Sequence, residues 1–334
     1  MTTAAQAPLV SIVVPNYNYA RYLNERMNSI FNQTLKDYEI ILLDDASTDG
    51  SLDILKEYAK DPRVASLTVN ATNTGLPFLQ WKKGIDMARG KYIWIAESDD
   101  SCTPEFLATC VAELEKNPNA VIAFTGSNTI DENGNPGEMD YDQWYGKKFI
   151  SRLGNAKSFD GERYVTHNMA WRNYVYNASG TVFRRDAVSA CDNLDTCFNM
   201  RNAGDWFFWT ALMQHGEVIE IYRKLNKFRR HTGSQTAKGI VNGAINGNIY
   251  LEDMTIRKFI TSEFKMNFLR KILIKGNLYK ALVRSDVTPT QKKELLNTAK
   301  KELHMSKATY VIDRINKFFW NFIPGIISMK NDRL

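Results

Sequence analysis

Along the first third of the chain, apolar positions switch repeatedly between a strand-like and a helical period. Val10 to Val14 is a short β-branched run, and Tyr22 to Phe31 repeats its apolar residues at helical spacing. Glu39 to Leu43 and Leu52 to Tyr58 restate the pair, and Val64 to Val69 with Phe78 to Ala88 makes a third. Lys91 to Ala96, Pro104 to Glu115 and Val121 to Phe124 add a strand, a helix and a fifth strand. Strands alternating with helices this closely predict right-handed crossovers and a mostly parallel sheet covered by helices on both faces. Ligands of such sheets bind beyond the carboxyl ends of the strands, which makes the loops there the place to look for chemistry.

Near residue 240 the pattern changes. Leu251 to Leu282 and Gln291 to Phe322 carry apolar residues at mixed three- and four-residue spacing, and Thr288, Pro289 and Thr290 mark a break between them. Charge shifts at the same point: residues 240–334 hold 17 Lys+Arg and 8 Asp+Glu, a net of +9, against 26 and 29 upstream. Two regions follow, a main α/β domain over 1–239 and a basic helical region over 240–334. Phe318, Phe319, Trp320, Phe322 and Ile323 stand beside Arg314 and Lys317. They suit either the headgroup layer of an anionic membrane or an aromatic stripe packed on the main domain.

Composition narrows the class further. With 44% hydrophobic and 12% aromatic residues, the 334-residue chain can bury a large core, which excludes a disordered or fibrous protein. Cys102, Cys110, Cys191 and Cys197 form no C-x-x-C pair, so no zinc ribbon or redox motif is expected. Met1 to Pro8 lacks a basic residue, and no apolar stretch reaches the ~18 to 20 residues of a membrane span. The expectation is a reduced, cytoplasmic protein with at most peripheral membrane contact, whose sequons at Asn32, Asn70 and Asn177 carry no glycan. No nucleic-acid partner is expected.

Acidic residues gather where the sheet would bind ligands. The second strand runs into Asp44 and Asp45, followed by Ala46-Ser-Thr-Asp-Gly50; the fourth runs into Glu97, Ser98, Asp99 and Asp100. Helix capping accounts for part of this, with Ser47 or Asp49 before one helix and Thr103 before another. Capping needs one residue at each place, however, and clustered carboxylates repel one another unless a cation offsets them. Spaced oxygen ligands that leave positions open suit Mg²⁺ or Mn²⁺ shared with phosphate groups.

These segments resemble a known family. Val10-Ser-Ile-Val-Val-Pro-Asn-Tyr-Asn18, Leu43-Asp-Asp-Ala-Ser-Thr-Asp-Gly-Ser51 and Gly90-Lys-Tyr-Ile-Trp-Ile-Ala-Glu-Ser-Asp-Asp100 are similar to the family 2 glycosyltransferases of the GT-A fold, over residues 9 to about 235. The resemblance implies a Rossmann-like, mostly parallel sheet flanked by helices, here with a helical C-terminal extension. It also implies an inverting, hexosyl-type transferase that moves a sugar from a nucleotide-sugar donor to a saccharide or lipid-linked acceptor, in polysaccharide or cell-envelope synthesis. Pro15 and Tyr17 fall where the family contacts the nucleotide base, and Asp45 where a carboxylate accepts a hydrogen bond from it. A carboxylate accepting an imide N–H favours UDP- or dTDP-sugars. Asp99 matches the residue near ribose and diphosphate, and Asp100 the direct metal ligand. Glu97 stands where the family's D-x-D motif begins with Asp, and Trp81, Lys82 and Lys83 stand where Arg-Asn is frequent; Lys82 or Lys83 is either a diphosphate contact or a solvated lysine.

Glycosyl transfer also needs a base, because a sugar hydroxyl is a weak nucleophile. Asn202-Ala-Gly-Asp205-Trp-Phe-Phe-Trp209 supplies Asp205, placed where the family has its catalytic base and beside aromatics that raise a carboxyl pKa. A helix cap for Trp206 to Gln214 is its plainer role. Asn226-Lys-Phe-Arg-Arg230-His231-Thr-Gly-Ser234 resembles a segment that reaches over the diphosphate, making His231 a metal or phosphate ligand and Arg229 or Arg230 a phosphate partner. In the Asn- and Tyr-rich stretch from Asp131 to Asn177, the residues Tyr141, Trp144, Tyr145, Trp171 and Tyr174 are either sugar-stacking surfaces or core. A dehydrogenase is excluded because Pro15-Asn-Tyr-Asn18 replaces the G-x-G-x-x-G loop, and a nucleotidyltransferase because no Gly- and Arg-rich loop follows the first strand. A processive synthase would carry Q-x-x-R-W and membrane spans, both missing from this sequence. The remaining rival is a catalytically silent nucleotide- or saccharide-binding protein on the same fold.

Overall fold

The structure is a computed structural model that describes residues 7–137, 152–234, 240–241, 244–245 and 247–319. Contacts divide the chain into two compact units. The first comprises Met1–Phe159, Val175–Arg201 and His215–His231; the second comprises Asp160–Tyr174, Asn202–Gln214 and Thr232–Leu334. The division expected near 240 thus has no counterpart as a single cut, since two upstream segments pack with the C-terminal helices.

The first unit is a sheet built on β1 (Val10–Asn16), β2 (Tyr38–Asp44), β3 (Val64–Val69), β4 (Tyr92–Ile95), β5 (Ser101–Cys102), β6 (Ala120–Ile130), β7 (Ala156–Phe159), β8 (Thr181–Arg184) and β9 (Glu217–Arg229). Its order is β3-β2-β1-β4-β8-β6-β9-β5, with β7 also on β9. The pairs β1–β2, β2–β3, β1–β4 and β6–β9 are parallel, while β8 inserts antiparallel between β4 and β6. Every residue of β1 and β2 is buried, as expected of central strands covered on both faces. The helices α1 (Ala20–Phe31), α2 (Ser51–Tyr58), α3 (Pro77–Met87) and α4 (Phe106–Lys116) provide that cover. Close packing explains two glycines: a Cβ on Gly84 of α3 would lie 2.2 Å from Val13, and one on Gly90 would lie 2.5 Å from the Ser11 nitrogen.

The caps differ in part from expectation. Asp49, not Ser47, serves the start of α2 by accepting from the Ser51 nitrogen at 3.0 Å. Thr103 does not cap α4: its Oγ1 is buried without a partner, and Gln33, just past the end of α1, accepts from the Leu107 nitrogen at 2.8 Å instead. A side chain about seventy residues away in sequence has taken a role that local sequence assigns to the threonine.

In the second unit, the helix Gly161–Tyr164 runs into a π-helical turn, Val165–Met169, and the helix Gly204–Leu212 follows later in the chain. Among the described residues its C-terminal part forms four helices, Gly247–Glu263, Phe268–Arg284, Pro289–Leu303 and Lys307–Phe319, where the apolar spacing suggested two long stretches. The break at Thr288 is made by a capping box with Gln291 and by Pro289 in the first turn. Two further breaks have local causes: Asn267 accepts from the Arg270 nitrogen, and His304 adopts a left-handed φ of 52°. Tyr250, Met254, Leu278, Leu282, Leu295, Ala299 and Leu303 pack together as a core of this unit's own. Among the described residues, no helix is long and apolar enough to cross a membrane.

Candidate functional site

The carboxyl ends of β2, β1 and β4 lie side by side, so Pro15 at the end of β1 and the loops carrying Tyr17, Asp45, Asp99 and Asp100 come to one edge of the first unit. Polar side chains stitch these loops together. Asn16 Nδ2 donates to Asp44 Oδ1 at 2.8 Å, the Thr48 nitrogen donates to Asn18 Oδ1 at 2.7 Å, and Ser98 Oγ donates to the Pro15 carbonyl at 2.8 Å. Asp44 is therefore a loop organiser. Asp45 turns the other way: Asn70 Nδ2 donates to its Oδ1 at 2.6 Å, Gln80 Nε2 to the same oxygen at 3.0 Å, and Thr74 Oγ1 to its Oδ2 at 2.8 Å. Tyr17 is exposed beside this loop. Lys83 donates to Asn70 Oδ1 at 2.6 Å and so joins the Asp45 network, whereas Lys82 pairs with Asp86.

At the end of β4, three carboxyl groups crowd into a largely buried corner. Burial and the charge of Asp99 push Glu97 up to about 8, against which the Trp81 indole donates at 2.8 Å. The two departures from the family's pattern, Trp81 and Glu97, are thus partners. Burial first, then Asp99, also raises Asp100, despite donors on both its oxygens: the Arg229 nitrogen at 2.9 Å and Asn177 Nδ2 at 2.8 Å. Asp99 Oδ2 lies 3.0 Å from His231 Nε2, at the end of β9, so the structure brings the predicted His231 against the acidic cluster. Tyr19 and Tyr22 hold the imidazole by ring contacts, at centroid distances of 5.6 and 5.2 Å. Tyr19 itself is hydrogen-bonded to Asp99, and its phenol is raised by burial and by the neighbouring carboxylates.

Two buried arginines balance this corner. Arg26 donates from Nε to the Glu97 carbonyl at 2.7 Å and from Nη2 to Ser179 Oγ at 3.0 Å. Arg229 donates to the Asp99 carbonyl at 2.7 Å and to the Asp131 carbonyl at 2.9 Å, and it pairs with Glu25. Because Arg229 is 1% exposed and so engaged, it frames the site and does not present a guanidinium to phosphate.

Asp205 lies in the second unit, in the first turn of the helix Gly204–Leu212. It is not the cap residue. Its Oδ1 accepts from the Trp206 nitrogen at 2.8 Å, and its Oδ2 accepts from Asn173 Nδ2 at 2.9 Å. Burial raises its pKa to about 6; these hydrogen bonds oppose the rise and the charge of Glu252 adds to it. Of the aromatics proposed to stack on sugar, Trp171 and Tyr174 are 3% and 1% exposed and belong to the core. Tyr141, Trp144 and Tyr145 lie outside the described residues.

The model of the Glycosyl transferase family 2 matches residues 11–190, more than half the chain. The chain belongs to that family. Family 2 relatives include the chondroitin synthase of Escherichia coli, 36% identical over 40% of this chain and 19% of that protein, and the poly(ribitol-phosphate) beta-glucosyltransferase of Bacillus spizizenii, 31% identical over 64% of this chain and 33% of that protein. The chain therefore spans less than half the length of these relatives. Among solved structures, TarS 1-349 of S. aureus in complex with UDP-GlcNAc superposes with a TM-score of 0.66 at 15% identity, over 92% of this chain and 91% of that one. The fold is GT-A, with the mostly parallel sheet and flanking helices that the sequence led us to expect and with antiparallel strands such as β8 that it did not.

Several supporting residues escaped sequence reasoning. Asn177 and Ser179, both within a sequon, serve Asp100 and Glu97: Asn177 donates to Asp100, and the Glu97 nitrogen donates to Ser179 Oγ at 3.1 Å. Asn173 and Glu252 serve the neighbourhood of Asp205 in the same silent way, and only the reuse of short polar residues next to a motif segment hints at Asn177.

Proposed function

We propose that this family 2 protein is an inverting glycosyltransferase that moves a sugar from a UDP- or dTDP-sugar to a hydroxyl of a saccharide or lipid-linked acceptor, with Mg²⁺ or Mn²⁺ assistance. The observation that carries the proposal is the meeting of Asp99, Asp100 and His231 on the edge that also presents Asp45. Among the described residues, no three His, Cys, Asp or Glu side chains form a ready cage for a metal ion. The donors present nonetheless fit a divalent cation that shares its shell with phosphate. Asp99 and His231 face each other, and a cation beside Asp100 would offset the burial and the charge of Asp99 that raise its carboxyl. When bound, the cation supplies Lewis-acid stabilisation to the departing diphosphate.

The chain's own residues do the rest. Asp45 accepts the imide N–H of the base on Oδ2, where Thr74 is exchanged for it, while Pro15 and Tyr17 border the ring. Asp205 takes the proton of the acceptor hydroxyl. A carboxyl near 6 is ionised at neutral pH yet more basic than an ordinary aspartate, as a general base requires. Support for a uridine donor comes from TarS, whose structure holds UDP-GlcNAc, and support for an envelope-polymer acceptor comes from the poly(ribitol-phosphate) glucosyltransferase and from TuaG of Bacillus subtilis, named for teichuronic acid biosynthesis and 30% identical over 66% of this chain. Peripheral contact with an anionic membrane is the further part of the reading. It is supported by the exposed Val311, Ile312 and Ile315 on the basic helix Lys307–Phe319; Trp320, Phe322 and Ile323 lie outside the described residues.

Calorimetric titration of UDP, with Mn²⁺ and then with chelator, tests the donor half. Binding should weaken by roughly 10- to 100-fold on chelation, and Asp100→Ala should remove that difference. Equal affinity in both conditions would reject the metal bridge.

A further inference from the structure

We infer that Glu252, on the helix Gly247–Glu263, is a positioning residue for Asp205, fixing the turn from which the carboxylate departs. The inference rests on the reading of Asp205 as general base. A helix begins with backbone N–H groups that lack partners, and a short side chain at the cap usually accepts from them. The helix Gly204–Leu212 has Ala203 at its cap position, so it has no such side chain. Glu252 reaches in from a distant helix: its Oε2 accepts from the Ala203 nitrogen at 2.7 Å and the Asn202 nitrogen at 3.0 Å, and its Oε1 accepts from Asn202 Nδ2 at 3.3 Å.

The other hold on Asp205 traces to the same helix. Arg257, 3% exposed, donates from Nη1 to the Ala170 carbonyl at 2.9 Å and from Nη2 to the Trp171 carbonyl at 3.1 Å. Trp206 Nε1 takes the Met169 carbonyl at 3.0 Å. These donors satisfy the orphan carbonyls at the end of the π-helical turn, and Asn173, which donates to Asp205, follows directly. Both ends of the carboxylate's support are thus tied to one C-terminal helix. Glu252 also places a negative charge near Asp205; Asp253 is neutralised by Arg257 at 2.6 Å, and His167 on the π-helical turn lies against Arg270.

The test uses the full chain, with hydrolysis of UDP-GlcNAc in the presence of Mn²⁺ as the probe reaction. Glu252→Gln keeps the shape and one acceptor but removes the charge. It should lower kcat by about tenfold through misplacement of the base, leave donor KM within about twofold, and move the acidic limb of the kcat profile to lower pH by up to about one unit. Glu252→Ala should lose more activity in the same direction. An unchanged kcat and acidic limb in Glu252→Gln, or a loss of UDP affinity that parallels the loss of kcat, would overturn the inference and leave Glu252 a brace. Failure of the underlying reading looks different, because Asp205→Asn would then retain turnover.

Discussion

The acidic edge of the first unit and Asp205 of the second are built in opposite ways. Asp44, Asp45, Asp99 and Asp100 are set by strand register: β1 pairs with β2 from Val10↔Tyr38 through Asn16↔Asp44, and with β4 through Val13↔Ile95, so residues just past each strand must meet. Asp205 is set by helices whose supporting residues lie far off in sequence, at Asn173 and Glu252. Their electrostatics differ as well. Burial is the main cause that raises Glu97, Asp100 and Asp205 alike, but at the edge the charge of Asp99 adds to it and buried Arg26 opposes it, whereas at Asp205 the added charge is that of Glu252. Register concentrates a site into contiguous motifs; helix packing disperses it into single residues.

Substituting Asp205 breaks the comparison most sharply. Asp205→Asn should reduce turnover by ~10² to 10⁴ and leave Mn²⁺-dependent UDP binding unchanged, because the proposed base and the proposed nucleotide edge belong to separate units. A parallel fall in UDP affinity would show that the two regions are not independent. A smaller effect on stability sharpens the same contrast. Asp205 has its folded pKa raised to about 6 from 3.8, so its contribution to stability is fully present below about pH 4 and is lost as pH rises through 6. Asp205→Asn escapes that loss, provided the Asn173 amide turns to offer its oxygen. The variant should melt a few °C above wild type at pH 8, with the gain fading towards pH 4. A gain independent of pH would mean that Asp205 is not held near 6.

The same contrast explains what could be read in advance. The five expected strands overlap β1, β2, β3, β4 and β6, and the four expected helices match α1 to α4 to within two residues at each end, because each carries its period locally. β9 was not legible: Glu220, Lys224 and Asn226 interrupt its apolar positions, and its pairing with β6 spans about a hundred residues. Nor was β8, since four residues give no period and its antiparallel insertion is a property of the whole sheet. In the site, the residues within strand-end motifs were legible, and so was His231 from its segment. Asn173, Asn177 and Glu252 were not, because an amide or carboxylate that acts through a distant partner leaves no local spacing. Arg229 misled for the same reason: its four engagements come from elements scattered over the first unit.

The central claim is a single displacement at the anomeric carbon with Asp205 as the base. Proton NMR of the sugar first released when the enzyme hydrolyses an α-linked UDP-sugar tests it without knowledge of the acceptor. A single displacement yields the β anomer before mutarotation sets in, with Asp205→Asn yielding neither anomer above background. Initial release of the α anomer would contradict the account.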